Sequence, residues 1–229
     1  MNTSLTVLSS MATREVLAEL AQIYGRDSGV SVEVTSVGGV DAARRVRAGD
    51  PLDVVMLASG VMEKLEAEGH IVAGSRADIA RSSMAMAIPE AGARLDISNA
   101  AAVRDAISQA QTVCYSTGPS GDHLLQLLQD WDLRDAVGKK LLQAPAGVSV
   151  ASLIADGRAD LGFQQFSELI GTPGVHVLGP LPPEIQTVTI FSAGVASTSD
   201  RRAEAAALIS YLASPQTAST KRSGGMEPA

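Results

Sequence analysis

The chain has 229 residues, of which 45 % are hydrophobic, enough for one large core or two smaller ones. Aromatic residues make up only 3 %, so Leu, Val, Ile and Ala must fill that core, and stacking platforms for single-stranded nucleic acid or sugar rings are disfavoured. A formal net charge of −7 argues against non-specific binding to nucleic acid or to an anionic membrane surface.

Short apolar runs alternate with helical patterns along almost the whole chain. The runs Leu5–Leu8, Ser31–Thr35 and Val54–Leu57 read as strands, with helical patterns over Thr13–Tyr24, Asp41–Ala48 and Val61–Glu68 after them. A longer strand over Ser83–Ile88 leads to a helix over Ala100–Gln109. Strands Thr112–Tyr115, Leu141–Ala144, Leu161–Gln164 and Val175–Leu178 follow, interleaved with helices Asp122–Asp130, Arg134–Val137, Val150–Asp156 and Ser167–Leu169. Pro180–Pro183 reads as a rigid surface turn. A long strand over Thr187–Ala196 precedes the helix Arg201–Ala213, whose apolar face is expected at Ala203, Ala206, Ala207, Ile209 and Leu212, and then a polar tail to Ala229. Such alternation predicts an α/β protein with mostly parallel sheets flanked by helices. The long runs near residues 80–88 and 187–196 have the length of strands that join two lobes.

Four of the strand-to-helix junctions are rich in Ser, Thr and Gly: Ser9-Ser10, Thr35–Gly39, Ser116–Gly121 and Gly147–Ser149. The first amides of a helix lack intrahelical partners, and the helix dipole adds positive potential there, so such junctions suit a small anion. The same residues are also ordinary caps and loop formers when taken singly. Four in one chain favour a shared anion site. No metal-ligand spacing is visible among one Cys and three His, and no cofactor is expected. Cys114 sits in an apolar run and reads as buried packing. No run reaches the about 18 apolar residues of a membrane span, so no direct membrane insertion is expected. The N-terminus lacks the pattern of a secretory leader. The protein is therefore expected in the cytoplasm, or in the periplasm if Met1 marks a trimmed mature form.

The stretches Leu5–Ser10, Gly49-Asp-Pro-Leu-Asp-Val through Ser59, Gly157-Arg-Ala-Asp-Leu-Gly162 and Ala213–Gln216 resemble the type II periplasmic-binding-protein fold. Within it the chain is similar to the molybdate-binding-like branch, which aconitate isomerase also resembles. The resemblance implies two α/β lobes joined by two crossing strands, with residues 1–80 and 192–229 in one lobe and 81–191 in the other. It also implies a ligand held in the cleft between them at helix N-termini. Against that pattern Ala12 stands where a ligand Ser is expected, Val37-Gly38-Gly39-Val40 replaces a Ser-rich loop, and Gln165 replaces a Tyr. With fewer hydroxyls and a more open loop, the expected ligand is a small di- or tricarboxylate rather than molybdate. Arg forks match planar carboxylates, and glycines let a larger ligand approach the backbone.

The ligand-binding residues expected on this reading are Ser9, Ser10, Gly38, Gly39, Arg81, Ser120, Gly121, Ser149, Gln164 and Gln165. Arg14, Arg44 and Arg45 are further cations near the junctions. Three functions stay open. One is the binding component of a transport system, with a membrane component of an ABC transporter as partner. The second is a cofactor-independent isomerase that moves a proton within an unsaturated tricarboxylate, with His123 as base and Tyr115 as relay. The third is an intracellular ligand-sensing module. A molybdate-type oxyanion receptor remains the lesser form of the first.

Overall fold

The computed structural model describes residues 4–229; Met1–Thr3, assigned above to the first lobe, lie outside them. In chain order the strands are β1 (Leu5–Ser10), β2 (Val32–Val37), β3 (Val54–Ala58), β4 (Ala77–Pro89), β5 (Val113–Tyr115), β6 (Leu141–Gln143), β7 (Leu161–Gln165), β8 (Val175–Pro180), β9 (Val188–Val195) and β10 (Glu227–Pro228). The helices are α1 (Arg14–Ser28), α2 (Gly39–Arg47), α3 (Ser59–Ala67), α4 (Ala100–Gln109), α5 (Pro119–Asp130), α6 (Arg134–Val137), α7 (Val150–Ala155), α8 (Phe166–Leu169), α9 (Arg202–Ala213) and α10 (Ala218–Ser223). The chain forms two compact units: residues up to Arg81 with Thr189–Ala229, and Ser82–Val188. β4 and β9 each carry the chain from one unit to the other.

In the first unit β1 lies between β2 and β3, all parallel, with β9 antiparallel to β3. Both faces of this sheet are covered, which is why its strands are nearly continuous apolar runs. Val54 and Met56 pack with α1 and α9 residues such as Leu17, Leu20 and Leu208. Val55 and Leu57, one residue out of phase, pack with Ala42, Val46, Met62 and Leu65 of α2 and α3. The two-residue period of a strand sends neighbours to opposite cores. Asp53 of the Gly-Asp-Pro-Leu-Asp stretch staples the sheet from its edge. Its carboxylate accepts the Thr6 amide at 2.9 Å and the Ser199 hydroxyl at 2.6 Å.

The second unit repeats the scheme. β5 lies between β6 and β7, all parallel, and β4 runs antiparallel to β7 and β8. Met84, Met86, Val113 and Phe163 share one core with Leu124 and Leu128 of α5. Ala85, Ala87 and Cys114 share another with Val150, Leu153 and Ile154 of α7. At Gly162 a Cβ would stand 2.5 Å from a Val150 methyl, so α7 rests directly on the β7 backbone. Asp160 plays the part of Asp53 here, accepting the Gln111 and Thr112 amides at 2.9 and 2.6 Å just before β5. The acidic residues of both resembling motifs therefore join neighbouring strands.

Three expectations change. The inward face of α9 is Ala205, Leu208, Ile209 and Leu212, while Ala203, Ala206 and Ala207 face solvent. Alanine is so abundant in this helix that its moment does not define a face. The Pro180–Pro183 segment is more than a surface turn: Leu181 is buried in the second unit's core, and a 3-10 turn follows at Pro183–Ile185. The polar tail is folded. α10 places Lys221 and β10 pairs with β4, with Glu227 opposite Arg81.

Candidate functional site

In the first unit the parallel register puts the carboxyl ends of β1, β2 and β3 on one edge, with Ser9 level with Ser36 and Met56, and Ser10 level with Val37. The carboxyl edge of a parallel sheet is where ligands bind in open α/β folds. Ser9 Oγ lies 2.7 Å from Ser36 Oγ, and the Ser9 hydroxyl also reaches the Ser10 carbonyl at 3.3 Å. Thr13 donates to the same carbonyl at 3.1 Å. These bonds fix the turn Met11–Thr13 that opens α1. Ser10 is 8 % exposed, and its buried hydroxyl has no hydrogen-bond partner among the described residues. A buried hydroxyl left unpaired costs about 1–3 kcal/mol.

At the same edge α2 begins at Gly39 behind Gly38, with no side chain capping its amides, and Val40 in its first turn is 73 % exposed. α3 begins at Ser59 behind Ala58, also without a side-chain cap. Ser59 Oγ accepts from Arg76 Nη1 at 3.1 Å, and Arg76 is itself held by Glu66 at 3.3 Å. This third junction went unnamed in the sequence reading, although it carries the same strand–Ser–helix signal as the others.

The arginines expected near these junctions are engaged elsewhere. Arg14 pairs with Glu15, Arg44 with Asp41 and Arg45 with Asp50. Arg81 is exposed, and its Nε donates to the Pro228 carbonyl at 3.0 Å. The structure ties it to the C-terminal strand, and no hydrogen bond among the described residues joins it to Ser9 or Ser10.

In the second unit the carboxyl ends of β5, β6 and β7 share an edge, with Tyr115 level with Gln143 and Phe163. Behind β5, Ser116 Oγ lies 3.0 Å from Ser120 Oγ and accepts the Gly118 amide at 3.3 Å. α5 starts behind Gly118 with Pro119 in its first turn and no side-chain cap. Gly121 is required by contact: a Cβ there would fall on the Ser116 carbonyl oxygen and lie 3.1 Å from the Tyr115 ring. Tyr115, Ser120 and Gly121 are thus brought together.

Ser149 and Gln164 are brought together too, but around a different task. Ser149 Oγ accepts the Ser152 amide at 3.0 Å, the usual N-cap bond. Gln164 Oε1 accepts the Val150 amide at 2.8 Å, and its Nε2 donates to Glu168 at 2.8 Å. The start of α7 is already served by protein groups. Gln165, 2 % exposed, ends β7 opposite Met84 and opens α8.

His123 is half-buried on α5, and its Nε2 lies 2.8 Å from the Ile185 carbonyl. The Cys114 thiol is pushed up to about 11 by burial, which keeps it protonated and unreactive. Among the described residues no group of three or more His, Cys, Asp or Glu is placed to hold a metal ion, and no helix is long and apolar enough to cross a membrane. The first unit's edge offers hydroxyls and uncapped helix amides; the second unit's edge offers hydroxyls, an uncapped helix start, a buried amide side chain and one imidazole.

The profile of the family described as bacterial extracellular solute-binding protein matches residues 5–227. An aconitate isomerase from a Pseudomonas species is 34 % identical over 232 residues, spanning 99 % of this chain and 88 % of that protein. The molybdate-binding protein ModA of Azotobacter vinelandii is 29 % identical over 209 residues, spanning 87 % of this chain and 80 % of that one. The solved periplasmic molybdate-binding protein of Azotobacter vinelandii superposes with a TM-score of 0.84 at 20 % identity, covering 97 % and 98 % of the two chains. The fold is that of the molybdate-binding-like periplasmic binding proteins.

Proposed function

We propose that this chain, which belongs to the bacterial extracellular solute-binding protein family, binds a small organic anion with two or three carboxylates. The observation that carries the reading is the buried, unpartnered Ser10 hydroxyl at the edge where α2 begins with uncapped amides. A carboxylate oxygen is the partner such a group lacks, and helix amides with their dipole favour the negative charge. At Gly39 an added Cβ would meet nothing within 4 Å, which supports a ligand larger than a tetrahedral oxyanion close to the backbone there. As a receptor of this kind, the protein would hand its ligand to a membrane component of an ABC transporter. A thermal-shift series with citrate, tricarballylate, succinate, sulfate and molybdate tests this. Stabilisation by the tricarboxylates above the oxyanions is expected; stabilisation by molybdate alone contradicts it.

A second reading is favoured by the 34 % identity, over nearly the full chain, to an aconitate isomerase. Here the protein would move a proton within an allylic tricarboxylate. His123 is the proposed base, because neutral imidazole can accept and return a proton near pH 7. Proton NMR of trans-aconitate with the protein in D₂O decides it. Formation of the cis isomer is expected; unchanged substrate contradicts the reading and leaves the receptor.

A further inference from the structure

We propose that Gln186 is a positioning residue that locks His123 into the tautomer able to act as a base through Nδ1. The inference rests on the isomerase reading above. A carbonyl oxygen only accepts, so the 2.8 Å contact between His123 Nε2 and the Ile185 carbonyl requires the hydrogen on Nε2. The neutral ring then has its lone pair on Nδ1, which makes no hydrogen bond among the described residues. Tautomer choice by the partner of the other nitrogen is the general way in which proteins set imidazole chemistry.

The Ile185 carbonyl is held in place by its neighbour. Gln186 Oε1 accepts the Met84 amide at 3.0 Å, and Gln186 Nε2 donates to the carbonyls of Met84 at 3.1 Å and Leu181 at 3.0 Å. The Leu181 amide returns to the Met84 carbonyl at 3.0 Å. One side-chain amide thus clamps both ends of the segment 181–186 onto β4. Pro182 and Pro183 stiffen the same segment, and the Leu181 and Ile185 side chains are buried in the core. Met84 lies opposite Gln165, so the clamp sits beside the carboxyl end of β7. Half-buried, this one primary amide makes three backbone bonds and sets the shape of the turn. What it fixes in addition is the acceptor for His123.

The step this prepares is balanced without a co-reactant. Nδ1 takes a proton from the allylic methylene, and the electron pair of that C–H bond forms the new C=C bond. The pair of the old C=C bond moves to the far carbon, which takes the proton back from Nδ1–H.

The test combines a spectrum with kinetics. Long-range ¹H–¹⁵N correlation of the imidazoles, with the His123 signals assigned by His123→Asn, should show the wild-type ring protonated at Nε2. Gln186→Met should give a mixture of tautomers and lower kcat for trans-aconitate about 10-fold or more, with KM little changed. Gln186→Glu, which keeps the acceptor for the Met84 amide, should fold if Gln186→Met does not, and should show an intermediate loss. Wild-type His123 protonated at Nδ1, or a Gln186 variant with unchanged tautomer and kcat, overturns the proposal. Absence of wild-type isomerisation, with the tautomer shift still present, overturns the isomerase reading alone and leaves the positioning of His123 by Gln186 supported.

Discussion

Gln164 and Val150 are joined across 14 residues of sequence: the Gln164 side-chain oxygen accepts the Val150 amide at 2.8 Å at the first position of α7. With Ser149 accepting from Ser152, the two side chains supply what a bound anion would otherwise supply at that helix. α7 is therefore built as a structural element, whereas the starts of α2, α3 and α5 are left without side-chain caps. Ser149→Ala is expected to lower stability by about 1 kcal/mol, the usual cost of losing a cap. Ligand affinity should stay within a factor of about 2 of the wild type. Urea unfolding and calorimetry on the same samples check both halves.

Ser10 should behave in the opposite way. Its unpaired buried hydroxyl costs stability in the absence of ligand. Ser10→Ala is expected to leave the ligand-free protein as stable as the wild type or up to about 1 kcal/mol more stable, while ligand binding weakens by about 1.5–3 kcal/mol, the scale of a hydrogen bond to a charged group. A loss of stability with unchanged affinity would mark Ser10 as a packing residue.

Gly121→Ala tests the turn behind β5. The new Cβ would collide with the Ser116 carbonyl, a backbone atom with no room to yield. A loss of about 1–3 kcal/mol in urea unfolding is expected from overpacking. Gly60→Ala, where a Cβ meets nothing within 4 Å, serves as the control and should be neutral or slightly stabilising.

Much of this architecture was legible in the sequence because both sheets are covered on both faces. Runs such as Val54–Leu57 could be nothing but strands, and the polar breaks between them marked the helices. β4 was read short because Ala77–Ser82 mixes Asp, Arg and Ser into the strand; two of those residues take partners distant in sequence, Asp78 the Ser192 hydroxyl and Arg81 the Pro228 carbonyl. α10 and β10 were missed for the same reason: the stretch Gln216–Gly225 is polar, and it folds because it docks on α1 and β4. At the site, the strand-to-helix junctions were visible as Ser, Thr and Gly clusters. Which hydroxyls serve as caps and which remain unpaired was not, since Ser10 and Ser149 look alike in sequence and differ only in their neighbours.

Lys221 gives a prediction about pH. Its side chain is buried at the end of α9, where Nζ donates to the Leu212 carbonyl at 2.7 Å. Burial pulls its pKa down to about 8 from an ordinary value of 10.5. Between those values the unfolded chain binds more protons than the folded one, so this group makes stability rise with pH from about 8 to about 10.5. Lys221→Met should abolish that rise, so the difference in stability between variant and wild type shrinks from pH 7 to pH 10 in favour of the wild type. An unchanged difference across that range would show that Lys221 is not desolvated.

The central claim is that the site takes an organic polycarboxylate in preference to a tetrahedral oxyanion. Isothermal titration calorimetry of the wild type and Ser10→Ala with trans-aconitate and, in parallel, with molybdate tests it most directly. The expected result is saturable binding of trans-aconitate that weakens in Ser10→Ala, with no comparable heat from molybdate. Tight molybdate binding with no response to trans-aconitate would contradict it.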